Sequence, residues 1–447
     1  MAGRKGRPPL VDIPGHVWAD SGQLLPFMAR LALEHGPLYS AVPRAGPLAG
    51  REVVYLVGPE ANRSVLLTHR DHFSHELGWT PVIGASLGKG LLTMDPPEHP
   101  RHRALMNPAF TAAFMASYLP LMRRVIAERT RDWAERGEID LLAEAREITF
   151  DVAAAALVGF QTGAEVDALR ERFYTLLHGP ASSASDEDWA DLLERQGRVR
   201  DELRATLLEL IAARREADAG ARPDDVLGLL VRGRDEAGQA LTDEQLLAHV
   251  NILLVAGHET TTTLGAWLLY LLASHPAYGA RVDAELSDRL GQGDAPLTAD
   301  AIRGLPVLAN AVREAGRLQS PVLLLPRGVV RDVALGGYTV PAGTMAFLAI
   351  GAGHRLPSVF ADPDVFDPDR FLPPREEDKR HPYALATFGG GPRICIGINF
   401  AQVEVMALAA HVRRRFRLSP FAGRHIPQMG GIVQFLPEGI PVRAQVR

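Results

Sequence analysis

The stretch from Asp243 to Ser274 constrains the fold most, because it reads as one unbroken helix. At ~1.5 Å per residue it would run for about 48 Å. Thr242, with Gln245 three residues later, forms a capping-box pattern at its start, and Pro276 stands just past its end. Its central part, "VNILLVAGHETTTTLGAWLLYLLA" (250–273), is apolar enough to raise the question of a membrane span. His258, Glu259 and the threonines Thr260 to Thr263 lie at its middle, where a lipid-facing helix would tolerate them poorly. The segment therefore reads as a core helix.

The remaining pattern is of the same kind. From about residue 97 to 274 long Ala/Leu/Arg/Glu-rich runs alternate with short breaks, of which "HGPASSASDEDW" (178–189) is the most loop-like. A short amphipathic helix is expected over 24–35, with β-rich stretches near 38–43 and 51–57. Another helix is expected over 306–319, with Pro306 in its first turn and Pro321 stopping it. Residues 327–350 return to β-like patterning, a meander rich in Asp, Pro and Phe covers 356–374, and a last helix spans 397–414. There is no internal repeat and no low-complexity linker. The expected fold is mainly α with a minor β region: residues 1–22 as an N-terminal extension, then one domain over 23–447.

Composition narrows the function classes. The 447 residues are 47% hydrophobic and 23% charged, with a net charge of -5, which suits a globular protein and argues against a dedicated nucleic-acid binder. The start, "MAGRKGRPPLVDIPGH", is basic but has no apolar run behind it, so neither a signal peptide nor a membrane anchor is expected there. A single cysteine rules out an internal disulfide framework and any multi-cysteine zinc or iron–sulfur site. A reducing, cytoplasmic setting is the expectation.

That cysteine, Cys395, sits in "TFGGGPRICIG" (387–397). Three glycines and a proline let the backbone turn sharply and approach something flat and bulky. Gly397 then opens a helix, so Cys395 is expected at a helix N-terminus, where the dipole favours a thiolate. A thiolate so held is a nucleophile or a metal ligand. An inert packing cysteine is the bland alternative, but glycine-rich turns rarely host one. No positioned histidine nearby suggests nucleophilic catalysis, so the ligand reading is preferred.

"FGGGPRICIG" resembles the heme-binding signature of the cytochrome P450 family, with Phe388, Gly389, Arg393, Cys395 and Gly397 at the family's offsets. Three companions appear in the family's order. "AGHETT" (256–261) resembles its oxygen-activation segment, in which Glu259 and Thr260 would be the acid–alcohol pair and Ala256 or Gly257 would let the helix lie close to a ligand. Read without the family, Thr260 could merely hydrogen-bond back to its own helix. Glu314 and Arg317 resemble the family's ExxR element, which would lock onto Arg370 in "FDPDRF" in a structural role. His99 and Arg103, four residues apart on one helix face, resemble the residues that bind heme propionates, and Arg327 and Arg393 would join them. One departure is Leu356 in "GHRLPSVF", where many relatives carry Asp.

The resemblance spans roughly residues 30–445. It implies a heme b (iron protoporphyrin IX) cofactor with Cys395 as the iron's protein ligand. The implied activity is a monooxygenase that uses O2 and takes electrons from a separate ferredoxin or flavodoxin with an NAD(P)H-dependent reductase. No phosphate loop or dinucleotide motif is present: "GASLGKG" (84–90) has short spacing and Gly90 where Ser or Thr is needed. The partner is expected to dock on the Cys395 face, helped by Arg101 and Arg393. Substrate-lining positions would fall at 76–93, 176–192, Leu253, Ala256, Val322, Leu323 and on to Leu325, and at 430–435, implying an apolar small molecule. A heme-thiolate peroxygenase or isomerase, or a non-catalytic heme sensor, are the alternatives. The acid–alcohol pair disfavours the first two, and turnover with O2 and reductant separates all of them.

Overall fold

The computed structural model describes residues 6–44, 48–84, 87–160, 163–177, 186–216, 225–291, 297–429 and 431–447. Its main helices are α1 (Ser21–His35), α2 (Glu98–Met106), α3 (Ala112–Arg129), α4 (Leu141–Val158), α5 (Ala164–Leu177), α6 (Asp186–Glu216), α7 (Asp243–Ser274), α8 (Pro276–Leu290), α9 (Pro306–Leu318) and α10 (Ile398–Arg415). The strands are β1 (Leu38–Ala41), β2 (Val53–Leu56), β3 (Phe73–Ser74), β4 (Glu138–Asp140), β5 (Leu325–Val329), β6 (Val333–Leu335), β7 (Tyr338–Val340), β8 (Met345–Leu348), β9 (Phe416–Pro420) and β10 (Pro441–Val446). A five-stranded sheet has the order β1-β2-β8-β5-β3, a three-stranded one β4-β10-β9, and β6 pairs with β7. The mainly helical expectation and the minor β region both hold.

The long helix has the limits its sequence predicts. Thr242 Oγ1 accepts the Gln245 N–H at 3.3 Å and Gln245 Oε1 accepts the Thr242 N–H at 3.0 Å, while Pro276 starts α8. Helix α7 packs along α4 and against α9 and α10, and residues 261 to 269 are all buried, so it is the core helix expected. Its hydroxyls are absorbed locally: Thr261 and Thr263 donate to the carbonyls of Gly257 and Glu259, and Thr262 meets Thr149 of α4 at 2.6 Å.

Two expectations are extended by the structure. The segment expected as an N-terminal extension packs on the body: Ile13 and Val17 are buried in the cluster that also holds Tyr39, Tyr55 and Phe347, and Leu10 bridges to Ser40. Strands β3, β4, β9 and β10 lie outside the predicted β stretches. The pairing of β10 with β4 joins residues some 300 positions apart (Val442 with Ile139), which local patterning does not encode. Of the predicted loop over 178–189, residues 178–185 lie outside the described set, and α6 already begins at Asp186.

Helix α9 carries the charged lock. Glu314, Arg317 and Arg370 are each 0% exposed. Glu314 takes two hydrogen bonds from Arg317, both at 2.8 Å, and one from Arg370 Nε at 3.0 Å. Arg370 also donates to Glu377 at 2.7 Å, a fourth member with no sequence signal. Arg317 spends its remaining donors on the carbonyls of His354, Pro363 and Val365, which fixes the meander to α9.

Helix α10 holds a carboxyl of a different kind. Glu404 is 0% exposed and neither of its oxygens has a hydrogen-bond partner, so burial pushes its pKa well above the usual carboxylate range. The native state therefore keeps a proton that the unfolded chain releases above about pH 4.3. Stability must fall as pH rises from there towards the folded pKa. In Glu404→Gln this fall is expected to flatten, read from urea unfolding at a series of pH values between about 5 and 8. A variant with the wild-type slope would contradict the assignment.

Candidate active site

The cysteine loop is built from contacts that only glycine permits. Gly391 has φ 62°, and a Cβ there would lie 2.1 Å from the Leu66 carbonyl oxygen; at Gly390 it would strike the Tyr383 ring at 2.4 Å. On the Cβ side these two glycines thus serve close approach to protein. The turn is closed by the Cys395 N–H donating to the Phe388 carbonyl at 2.9 Å.

Cys395 itself is exposed to a water-sized sphere, yet enough protein surrounds it that burial pushes its thiol pKa up. Cys395 thus has an open side although dense protein surrounds it. Ile394 beside it is likewise 39% exposed. The expected dipole assistance is weaker than read from sequence, because α10 begins only at Ile398. The Gly397 amide and the Arg103 guanidinium lower the thiol pKa without overcoming desolvation. A thiolate here needs a cation at the sulfur. Among the described residues no three His, Cys, Asp or Glu side chains gather as a metal-ligand set.

Near Cys395 the structure gathers donors. His99 is buried on α2, its pKa lowered to about 3 by burial and by Arg393 and Arg103. Arg327 on β5 is lowered to about 9, and Arg393 to about 10, in each case chiefly by burial. Arg103 Nη1 donates to the Ile394 carbonyl at 2.7 Å and Arg393 Nη2 to the Met94 carbonyl at 2.7 Å, which ties α2 and the 94–95 turn to the cysteine loop. Asp95 is the carboxylate that faces them, 3.7 Å from Arg393, but it is already engaged by the Ser74 hydroxyl and the His75 N–H. Guanidinium groups held this far below their ordinary pKa are short of anions. The two propionates of heme b would meet that shortage.

His75 was missed from the sequence. It is buried, its Nδ1 has no hydrogen-bond partner, and burial with Arg327, Arg393 and His99 nearby keeps its pKa well below normal. It opens a one-turn helix capped by Ser74, a context with no periodicity to mark it.

On α7, Ala256 is exposed although it lies mid-helix, so it borders open space, whereas Gly257 packs on Leu157 of α4. Thr260 Oγ1 donates to the Ala256 carbonyl at 2.8 Å, the back-bond of the bland reading, but the hydroxyl is exposed and keeps acceptor capacity toward the open side. Glu259 lies 3.3 Å from His258 Nε2, which is itself 3.0 Å from the Tyr174 hydroxyl. Tyr174 and His258 were not anticipated.

Of the proposed lining residues, Leu253 and Val322 are half-buried, and Val322 bridges Val433 in the 430–435 segment. Leu323 is a correction: it is 0% exposed inside the cluster that holds Tyr39, Tyr55 and Phe347, with its N–H donating to the Ile432 carbonyl, so it packs in the core. Residues 85, 86, 178–185 and Gly430 of the named regions lie outside the described residues. Arg101, the other cation expected to help docking, pairs with Asp235 at 2.7 Å and is 34% exposed.

Comparison with known proteins identifies the family. The cytochrome P450 family profile matches residues 8–436. Cyclooctatin synthase of Streptomyces melanosporofaciens is 33% identical over 445 residues, covering 96% of this chain and 94% of that protein. Sterol 14alpha-demethylase of Mycolicibacterium vanbaalenii is 30% identical over 375 residues, covering 83% and 82%. The structure of retinoic acid-bound cyanobacterial CYP120A1 superposes with a TM-score of 0.81 at 26% identity, over 99% of this chain and 100% of that one. The chain belongs to the cytochrome P450 family. It is accordingly a heme b-dependent monooxygenase, which needs O2, a small-molecule substrate and a redox partner. No helix among the described residues is long and apolar enough to cross a membrane.

Proposed function

We propose that this monooxygenase oxidises an apolar small molecule, with Cys395 as the protein ligand to the heme iron and electrons delivered by a separate ferredoxin or flavodoxin served by an NAD(P)H-dependent reductase. The observation that carries the site assignment is Cys395: an exposed cysteine in a desolvated setting, beside a cluster of buried cations that includes Arg327 and Arg393. When bound, heme b supplies the chemistry that inserts one atom of O2 into a C–H or C=C bond.

The protein's own residues do the rest. His99, Arg103, Arg327 and Arg393 hold the propionates, and Phe388, Gly389 and Gly397 shape the loop that presents the sulfur. Ala256 leaves room beside α7, with Leu253 and Val322 as flanking apolar surface. Thr260 accepts a hydrogen bond from water on the open side while its own proton rests on the Ala256 carbonyl. Glu259, supported by His258, holds the proton that such water passes inward. Residues 23–447, joined by the packed segment before them, act as one catalytic unit, and the single thiol suits a cytoplasmic setting.

Apolar wall residues favour substrates such as terpenoids, fatty acyl chains or polyketide-like molecules. Relatives named for a sterol and for retinoic acid fit that expectation. Screening such compounds for a spin-state change in the heme spectrum tests it, and binding confined to charged ligands would overturn it. Thr260→Ala is expected to leave heme content unchanged while product formed per electron pair falls at least several-fold and peroxide rises. Unchanged coupling would remove Thr260 from proton delivery.

A further inference from the structure

His354 lies between the charged lock and the cysteine loop, and no role described so far uses its ring. It is 0% exposed, at the end of the one-turn helix Ile350–Gly353. Its carbonyl accepts from Arg317 Nη1 at 2.8 Å, which places it against the lock. Its Nε2 lies 3.0 Å from the backbone nitrogen of Ala386, and its Nδ1 lies 3.0 Å from Ser320 Oγ. Ser320 Oγ in turn sits 3.0 Å from the Gly316 carbonyl.

Donor and acceptor logic fixes the proton positions. A backbone N–H can only donate, so Nε2 carries no proton and the ring proton is on Nδ1. Nδ1–H then donates to Ser320 Oγ, and the serine proton goes to the Gly316 carbonyl. The result is a directed chain from Ala386 through His354 and Ser320 to Gly316, which lies between Glu314 and Arg317. The loop also touches α9 directly at this point: a Cβ on Gly316 would meet Thr387 Cγ2 at 3.0 Å. The ring stays neutral in this setting, its pKa lowered to about 3 by burial and by Arg317 and Arg355.

We propose that His354 is a positioning residue that transmits the rigidity of the Glu314–Arg317–Arg370 lock to the cysteine loop, through an imidazole protonated on Nδ1 that fixes Ala386. The proposal rests on the reading of Cys395 as the heme ligand only for its functional consequence, since the geometry is that of the protein alone.

The test compares His354→Leu, His354→Gln and Ser320→Ala as full-length holoproteins, by hydrogen–deuterium exchange over residues 384–397 and by the reduced carbon monoxide spectrum. In His354→Leu, exchange over 384–397 should rise about tenfold, the size of one net buried hydrogen bond, while α3 and α4 keep wild-type protection. The thiolate-type absorption band should also be lost sooner on mild heating. In His354→Gln, whose Oε1 can accept the Ala386 N–H, both properties should return towards wild type. Wild-type protection in His354→Leu would overturn the proposal. So would a folded His354→Gln that exchanges as fast as the leucine variant. Should His354→Leu fail to fold, Ser320→Ala decides, because it releases the ring from Nδ1: faster exchange over 384–397 supports the chain, and unchanged exchange overturns it. A wild-type protein without the thiolate band would defeat the ligand assignment alone, since exchange reads the loop either way.

Discussion

Cys395→Ser is expected to fold normally and to lose the red-shifted carbon monoxide band, with substrate turnover falling to background. The substitution changes one atom of an exposed residue, and the loop's closing bond runs through the backbone from Cys395 to Phe388, so the turn survives. The serine hydroxyl, however, does not ionise as a thiol does and cannot replace a thiolate's charge on the iron. Stability of the metal-free protein should change by only about 1 kcal/mol or less. This separates a ligand from a packing cysteine. Retained turnover with an unshifted band position would show the sulfur to be dispensable, whereas a large loss of stability would show it to be structural.

Breaking the lock is expected to have the largest effect on folding. Glu314 lies between two guanidinium groups that have no exposure at all. Removing its charge leaves Arg317 with carbonyl partners only, while Arg370 retains Glu377. Loss of one partner from a buried ion pair costs about 3–5 kcal/mol, because the desolvation of the remaining charge is no longer offset. Glu314→Leu should therefore lose about that much in urea unfolding, and Arg317→Lys should also be damaging, since an ammonium cannot reproduce the bidentate contact at 2.8 Å. A change below about 1 kcal/mol in Glu314→Leu would mean that the lock is not a determinant of stability.

Much of this arrangement is legible in the sequence where chemistry is local. The limits of α7 follow from a capping box and a proline, and the Glu314–Arg317 spacing puts two charges on one helix face. Their complete burial is not local information: read alone, such a pair belongs on a surface. For the same reason Glu377, His75 and His354 escaped notice, each being defined by partners distant in the chain. The pairing of β10 with β4 and the capture of Arg101 by Asp235 are of that type too. The glycines of the cysteine loop were recognised, but what they make room for is Leu66 and Tyr383, which no spacing rule reveals. Leu323 was misplaced because an apolar residue in an extended stretch can face either a hollow or the core, and alternation over so few residues does not decide which.

Binding of the heme iron by the Cys395 sulfur as a thiolate is the central expectation. The most direct measurement is the absorption spectrum of the protein, produced with adequate iron and porphyrin, after reduction under carbon monoxide. A strongly red-shifted Soret band is predicted. A band at the position given by a nitrogen ligand, or a protein that takes up no pigment, would contradict it.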